Sequence, residues 1–369
     1  MIRVLHVLTD SNIGGAGHHL LALLSRENGL DRSAFEVLVV LPTGARLTPL
    51  LAEEGIKCEE VSYLAERSFS AKSVIVLLEQ MKRFKPHIVH THAALSARVA
   101  ARIYKKCKII HTRHSVFEPK PMNFPVKQLV RFFNNYFSDA IIAVSPAAKD
   151  NLLALGAYEK KIHVIFNGMP AARECLDEEK IKLREKYNIQ KDAFVLAQIA
   201  RLTEVKGQED VLNAAKEFDK NIIVLMAGDG DLKEKLRQRI KNENINNVRL
   251  LGFITEVEEI INIMDVQISA SFGTEATSLA LIQGMSVGKP AVVTDYGGNP
   301  YVIDNGENGL VVPTRSVSAM VDAVNKIATS PEIYEKISNN ARKIYESRFT
   351  LELMVKNTAN LYIKMEERK

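Results

Sequence analysis

Residues 269–290 read SASFGTEATSLALIQGMSVGKP, and the reading of this stretch decides the fold. Apolar residues 266–270 have the character of a strand end, Phe272-Gly273 supplies a turn, and the small and aliphatic residues beyond predict a helix packed on a sheet. One carboxylate, Glu275, stands at the turn, and the amide of Gln283 follows eight residues later. If both lay on the helix they would differ by roughly 80° around its axis and could serve two ends of one ligand. Ala276, Thr277, Ser278 and Leu279 would supply the unpaired N–H groups of a helix start, which makes an anion site beside a hydroxyl acceptor. A buried helix with an ordinary N-terminal acid fits the same residues, because strand-turn-helix units recur in every α/β domain.

Outward from this stretch the alternation repeats. Residues 194–199, 222–227, 248–252, 291–294 and 309–312 are further strand candidates, separated by helical stretches. An earlier series has strands at 4–8, 36–41, 88–92, 108–111 and 140–144, with helices at 17–24, 73–84 and 96–104. Alternation of this kind predicts parallel, doubly wound sheets, and its restart predicts two Rossmann-like domains in tandem. The 369 residues suit two domains. The join falls between 167 and 191, where an Asn-Gly-Met-Pro turn precedes a charged helical run at 177–187. From Pro331 the chain reads as helical, and an amphipathic helix over 351–367 closes it.

Composition narrows the class. With 46% hydrophobic and 25% charged residues the chain is an ordinary globular protein. No apolar run follows Arg3, so no signal peptide is expected, and no 18 apolar residues run together to span a bilayer. Cys58, Cys107 and Cys175 lie far apart without C-x-x-C spacing, which suits a reduced, cytoplasmic chain. Residues 1–166 carry 22 Lys+Arg against 14 Asp+Glu, a balance of +8, and the remainder carries −3. Between Arg98 and Arg131 nine basic residues, Lys120 among them, face one acid, Glu118, and lead into the aromatic segment MNFPVKQLVRFFNNYF. Such a segment can rest on an anionic membrane. It is equally readable as a solvated basic face beside core aromatics, and no nucleic-acid motif accompanies it.

Individual residues sharpen the expectation. Gly14, Gly15 and Gly17 follow the first strand and can form a phosphate-approaching loop. The third glycine of a dinucleotide fingerprint is missing and no acid closes the second strand, which argues against a nicotinamide cofactor. All nine histidines lie at or before His163. His90-Thr91-His92 and His111-x-x-His114 lack a partner cysteine or an H-E-x-x-H helix, so no metal is expected. His92 and His114, at strand carboxyl ends, are candidates to face a ligand crevice or to be hydrogen-bonded structural histidines. Arg201 and Lys206 flank a tight turn after a strand, a place suited to a doubly charged phosphate group, though a solvated loop would look the same. Asp229-x-Asp231 lies in a similar turn, where Asp231 reads as an N-cap for the next helix.

Taken together, these motifs resemble the family-4 retaining glycosyltransferases of GT-B fold, nearly end to end. The resemblance is carried by Gly14-Gly15, residues 139–145 (DAIIAVS), Asn167-Gly168, Arg201-Leu202-x-x-x-Lys206-Gly207, Gly228-x-Gly230, and the stretch from Glu275 to Pro290. It implies an α/β chain of two tandem Rossmann-like doubly wound domains with an inter-domain crevice. Residues 1–166 would bind the acceptor, 167–348 the nucleotide sugar, and 349–369 would cross back onto the first domain. Arg201 and Lys206 would grip the donor diphosphate in place of a metal. Glu275 would hold sugar hydroxyls with His114 nearby, and Phe253-Ile254 would face the base. Gln283 would contact ribose, while Gly14, Gly15, Asn167, Gly228 and residues 276–279 would line the site. The resemblance implies a nucleotide diphosphate sugar, UDP-linked by first guess, and a saccharide or lipid-linked acceptor in cell-envelope polysaccharide synthesis. No cofactor is implied. The residues themselves, as above, suit a cytoplasmic chain without a nucleic-acid partner, and the basic aromatic segment allows peripheral attachment at the inner membrane face. Gln283 departs from the family's second glutamate, Ala276-Thr277-Ser278 from its G-F-G, and Tyr301 from a frequent Glu. A nucleotide-sugar epimerase or sugar-phosphate synthase, or a non-catalytic nucleotide-binding paralogue, shares most of these motifs.

Overall fold

Runs such as Val-Leu-His-Val-Leu and Ile-Ile-Val-Leu-Met are apolar on both faces, as strands must be when helices cover both sides of a parallel sheet. In the computed structural model, residues 1–64, 69–117 and 122–367 are described, and Glu118 and Lys120 of the basic run lie outside them. The chain divides into two units, Met1–Met169 with Thr350–Lys369, and Pro170–Phe349.

In the first unit the elements are β1 (Ile2–Leu8), α1 (Gly15–Leu23), β2 (Phe35–Pro42), α2 (Leu47–Glu53), β3 (Lys57–Val61), α3 (Ala71–Phe84) and β4 (Ile88–His92). They continue with α4 (Leu95–Tyr104), β5 (Lys108–Arg113), α5 (Phe124–Tyr136), β6 (Ala140–Ala143), α6 (Pro146–Ala154) and β7 (Ile162–Val164). Among the described residues seven strands form one sheet in the order β3-β2-β1-β4-β5-β6-β7. Every pairing is parallel, with Val4 opposite Val37 on one side and Ile88 on the other. Strands β3 and β7, not expected from the sequence, are the edges; β3 (KCEEV) has a single fully buried residue, Val61.

The second unit holds α7 (Asp177–Lys186), β8 (Phe194–Ile199), α8 (Gln208–Ala215), β9 (Ile222–Ala227), α9 (Lys233–Asn242), β10 (Val248–Gly252) and α10 (Val257–Ile263). It continues with β11 (Val266–Ser269), α11 (Leu279–Ser286), β12 (Ala291–Thr294), α12 (Asn299–Val302), β13 (Gly309–Val312), α13 (Val317–Ala328) and α14 (Pro331–Arg348). Its sheet, also parallel, runs β10-β9-β8-β11-β12-β13.

The last helix, α15 (Leu351–Glu367), belongs to the first unit. Its Leu351, Met354, Leu361, Tyr362 and Met365 are buried with Val4, Leu20, Phe35 and Ile88 in one core. In both sheets the strand order reverses once, between β1 and β4 and between β8 and β11. Outside the carboxyl ends of such a pair the following loops part and leave room for a ligand.

Candidate functional site

At the reversal in the second unit, the loop after β8 is held at both ends. Gln208 Nε2 donates to the Arg201 carbonyl at 2.8 Å and Gln198 Nε2 to the Lys206 carbonyl at 2.8 Å. The loop turns at Gly207, whose φ of +68° favours glycine and where a Cβ would stand 2.1 Å from the Ala270 carbonyl oxygen. The loop after β11 is thereby pressed against it, and Phe272 N donates to the Val205 carbonyl at 2.9 Å. Across this contact Lys206 Nζ meets Glu275 Oε2 at 2.5 Å, and Ser271 Oγ donates to the same oxygen at 3.1 Å. Glu275 is buried and Lys206 half-buried, so the pair is a fixed, largely desolvated dipole. Arg201 is exposed, and its side chain makes no hydrogen bond or ion pair among the described residues.

The third loop of this end follows β9. Leu202 N donates to the Asp229 carbonyl at 2.9 Å, and a Cβ on Gly228 would fall 1.9 Å from the Ala200 carbonyl oxygen, so only glycine fits there. The Asp229 carboxylate pairs with Lys233 at 2.8 Å and accepts from Gly230 N; both hold its pKa below the usual range. Asp231 does not cap the helix as expected: the N-cap of α9 is Leu232, without a side-chain bond.

Two expectations about the central stretch need correction. Glu275 is not helical, since α11 begins at Leu279, and the angular relation to Gln283 therefore does not apply. Of residues 276–279 only Leu279 is in the helix. Ser278 is the N-cap, its Oγ accepting from Leu281 N at 3.4 Å, while Thr277 Oγ1 donates to the Ala276 carbonyl at 2.7 Å. Gln283 sits one turn into α11, half-buried, with its side-chain amide unbonded among the described residues. Phe253 is exposed just past β10, and Ile254 packs at the edge of a core that contains Ile223 and Leu225.

At the reversal in the first unit Gly14 caps α1, and Gly15 has open space where a side chain would be. The first unit also holds a cluster of histidines that sequence spacing did not reveal. His92 Nδ1 and His114 Nε2 are 2.8 Å apart, His6 Nδ1 and His92 Nε2 3.2 Å, and His90 Nδ1 and the Tyr362 hydroxyl 2.6 Å. His90 Nε2 and Thr112 Oγ1 are also 2.6 Å apart, and His19 Nδ1 meets Asn167 Oδ1 at 2.9 Å. The His19 and His114 rings are T-shaped with centroids 4.8 Å apart. His92 is fully buried and faces no crevice, whereas His114 is half-buried. Asn167, expected to line a ligand site, is buried and bonded to His19.

Burial keeps these imidazoles neutral. It lowers His6 to about 3, with help from His19, and His19 to about 4 against the opposing Asn167 bond. Burial first, then neighbouring histidines, drives His90, His92 and His114 well below the usual range. His111 is likewise lowered by burial, then by Arg98 and Arg113. Two triads, His6/His90/His92 and His19/His92/His114, bring ligating nitrogens within 4.8 Å, but hydrogen bonds already join most of those nitrogens and neither triad includes a carboxylate.

Elsewhere on this unit α5 turns Phe124, Val126, Leu129, Phe132 and Tyr136 outward, beside exposed Lys127 and Arg131. No helix among the described residues is long and apolar enough to cross a membrane.

The Glycosyltransferase Family 4 model matches residues 13–173 and the Glycosyl transferases group 1 model matches 179–344. The chain is 26% identical over 323 residues to a putative glycosyltransferase, EpsD, of Bacillus subtilis (strain 168), covering 82% of this chain and 84% of that one. It is 24% identical over 387 residues to the UDP-Gal:alpha-D-GlcNAc-diphosphoundecaprenol alpha-1,3-galactosyltransferase of Escherichia coli, covering 97% and 98%. Among solved structures, Anabaena HepE in complex with UDP-glucose superposes with a TM-score of 0.87 at 20% identity, covering 99% of this chain and 100% of that one.

Proposed function

The chain belongs to the family-4 glycosyltransferases of GT-B fold, and on that premise we propose that it moves a sugar, with retention at the anomeric carbon, from a UDP-sugar to a lipid-linked saccharide of the cell envelope. The observation that carries the reading is the Lys206–Glu275 pair at the strand reversal of the second sheet. Lys206 and Arg201, the latter unbonded among the described residues, take the donor diphosphate, and Glu275 takes hydroxyls of the donor sugar. Gln283 takes the ribose and the backbone at Phe253-Ile254 the base. Gly228 and residues 276–279 shape the donor pocket of the second unit. On the first unit, we assign His114 to the sugar, and Gly14 and Gly15 to the acceptor side.

The chemistry asks mainly for position and charge. As the bond from the anomeric carbon to the phosphate oxygen breaks, negative charge grows on the diphosphate, and preorganised cations stabilise it without a metal. The acceptor oxygen bonds to that carbon from the same face, and its proton passes to the departing phosphate oxygen. Transfer assayed with UDP-sugars in excess chelator tests this: turnover is expected to persist. Activity lost with chelator and restored by magnesium or manganese would overturn the metal-free assignment.

The acceptor is assigned to the membrane face for two reasons. The Escherichia coli relative is named for a diphosphoundecaprenol acceptor, and α5 presents apolar and basic side chains together. Each cation near an anionic surface contributes about 1 kcal/mol, enough in number for reversible, peripheral attachment that salt weakens. Co-sedimentation with anionic but not neutral vesicles is expected, reduced when Lys105, Lys106, Lys120 and Lys127 are changed to Glu. Equal, negligible sedimentation in every case would remove the membrane and leave the transferase.

A further inference from the structure

In the first unit, hydrogen bonds link six side chains in series: Thr112, His90, Tyr362, His6, His92, His114. A neutral imidazole carries one N–H and one lone pair, so each histidine that donates on one side must accept on the other. A hydroxyl has a single proton to give, so once Tyr362 is found to donate to one histidine it can only accept from the other, and the direction of the remaining bonds follows.

His90 sets it. Both of its nitrogens face a hydroxyl at 2.6 Å, Tyr362 at Nδ1 and Thr112 Oγ1 at Nε2, and only one can be the acceptor. A phenol is a far stronger acid than an aliphatic alcohol, so Tyr362 donates to Nδ1 and Nε2–H donates to Thr112. The Tyr362 oxygen, its proton spent, receives His6 Nε2–H across the longer 3.4 Å contact. His6 Nδ1 is then a lone pair that accepts from His92 Nε2–H, and His92 Nδ1 accepts from His114 Nε2–H. Burial supports the assignment, since it keeps the Tyr362 phenol protonated and these rings neutral.

We propose that Tyr362, on the closing helix α15, is a positioning residue that acts through His6 and His92 to hold His114 as its Nε2–H tautomer, leaving Nδ1 a hydrogen-bond acceptor. Resting on the reading that His114 meets the donor sugar, this presents a lone pair, and not an N–H, to a sugar hydroxyl. Tyr362 itself is fully buried and touches no substrate.

Two variants reverse the series for different reasons. In Tyr362→Phe, His6 Nε2–H would lose its acceptor; a buried unpaired N–H costs more than an unpaired lone pair, so His6, His92 and His114 all shift to Nδ1–H. In Thr112→Val, His90 Nε2–H would lose its acceptor instead. His90 then donates from Nδ1 to Tyr362, Tyr362 donates to His6, and His114 again becomes Nδ1–H.

The measurement is the two-bond nitrogen-proton correlation spectrum of full-length protein labelled at histidine, with folding of each variant checked by thermal unfolding. The Nε2–H pattern at His114 is expected in the native chain, and Nδ1–H in whichever of the two variants folds. Nδ1–H at His114 in the native chain overturns the proposal, as does an unchanged Nε2–H pattern in a folded variant. If neither variant folds, the native spectrum alone decides. Turnover separates the relay from the function: kcat is expected to fall about tenfold with donor KM unchanged, the worth of one hydrogen bond. A tautomer switch with unaltered kcat keeps the relay and removes His114 from the transfer.

Discussion

Lys206 and Glu275 lie 69 residues apart in sequence and 2.5 Å apart in space, each on a loop leaving one of the two strands between which the second sheet reverses. Their side chains are 14% and 9% exposed, so neither charge is well hydrated without the other. Removing one partner leaves a buried charge. Lys206→Ala is expected to cost about 3 kcal/mol of stability in urea unfolding, while the double change with Glu275→Ala costs less than Lys206→Ala alone. Additive losses in the double variant would show that the two side chains do not support one another.

Arg201 gives the opposite signature. Exposed and unbonded among the described residues, it contributes little to folding. Arg201→Ala should leave stability within about 0.5 kcal/mol of native while raising the transfer barrier by ~2 to 4 kcal/mol. Thermal unfolding paired with kcat/KM checks both halves, and a stability loss matching the activity loss would make this arginine structural.

Gln283 lies on a helix capped by Ser278. If it takes the ribose, as proposed above, its amide can both donate to and accept from vicinal hydroxyls, and a glutamate in its place would accept from them. Calorimetric titration with UDP is expected to show equal or tighter binding for Gln283→Glu. Abolished binding would place the ribose elsewhere.

Acid should unfold the first unit through its histidines. His6 and His19 titrate near 3 and 4 in the folded chain and near 6.5 when unfolded, so between these values the unfolded chain holds more protons. Stability from this source is complete above about pH 6.5 and falls as pH drops, by up to roughly 1.4 kcal/mol per unit for each histidine. It stops falling near pH 4 for His19 and pH 3 for His6. Thermal midpoints that do not differ between pH 7.5 and 5.5 would contradict it.

What the sequence disclosed depended on how local the signal was. Apolar strands such as β1 and β9, and the helix over residues 351–367, announce themselves by runs and periodicity. Edge strand β3 does not, because four of its five residues are partly or fully exposed and nothing forces an apolar pattern on them. The start of α11 is not legible, because Ala276, Thr277 and Ser278 suit a helix by size, whereas the cap rests on Ser278 Oγ accepting from Leu281 N, which composition does not specify. Arg201, Lys206 and Glu275 could be singled out one by one, but not the contact between the last two. The histidine series was hidden more deeply still, since its His90–Tyr362 bond spans 272 residues.

The return of α15 to the first unit also imposes an order on synthesis. Residues 170–349 form a contiguous unit that emerges whole, whereas the core around Val4, Phe35 and Ile88 lacks Leu361 and Tyr362 until residues 351–367 leave the ribosome. At about 5 to 20 residues per second, the first-made half must wait some 10 seconds or more for the helix that completes it. During that interval a cleft lined by Leu20 and Leu23 stays open to solvent, a target for a chaperone or for α15 of another copy. A chain cut after Phe349 is therefore expected to retain a folded second unit beside a first unit readily cut by protease, so that α15 governs the stability of strands made long before it.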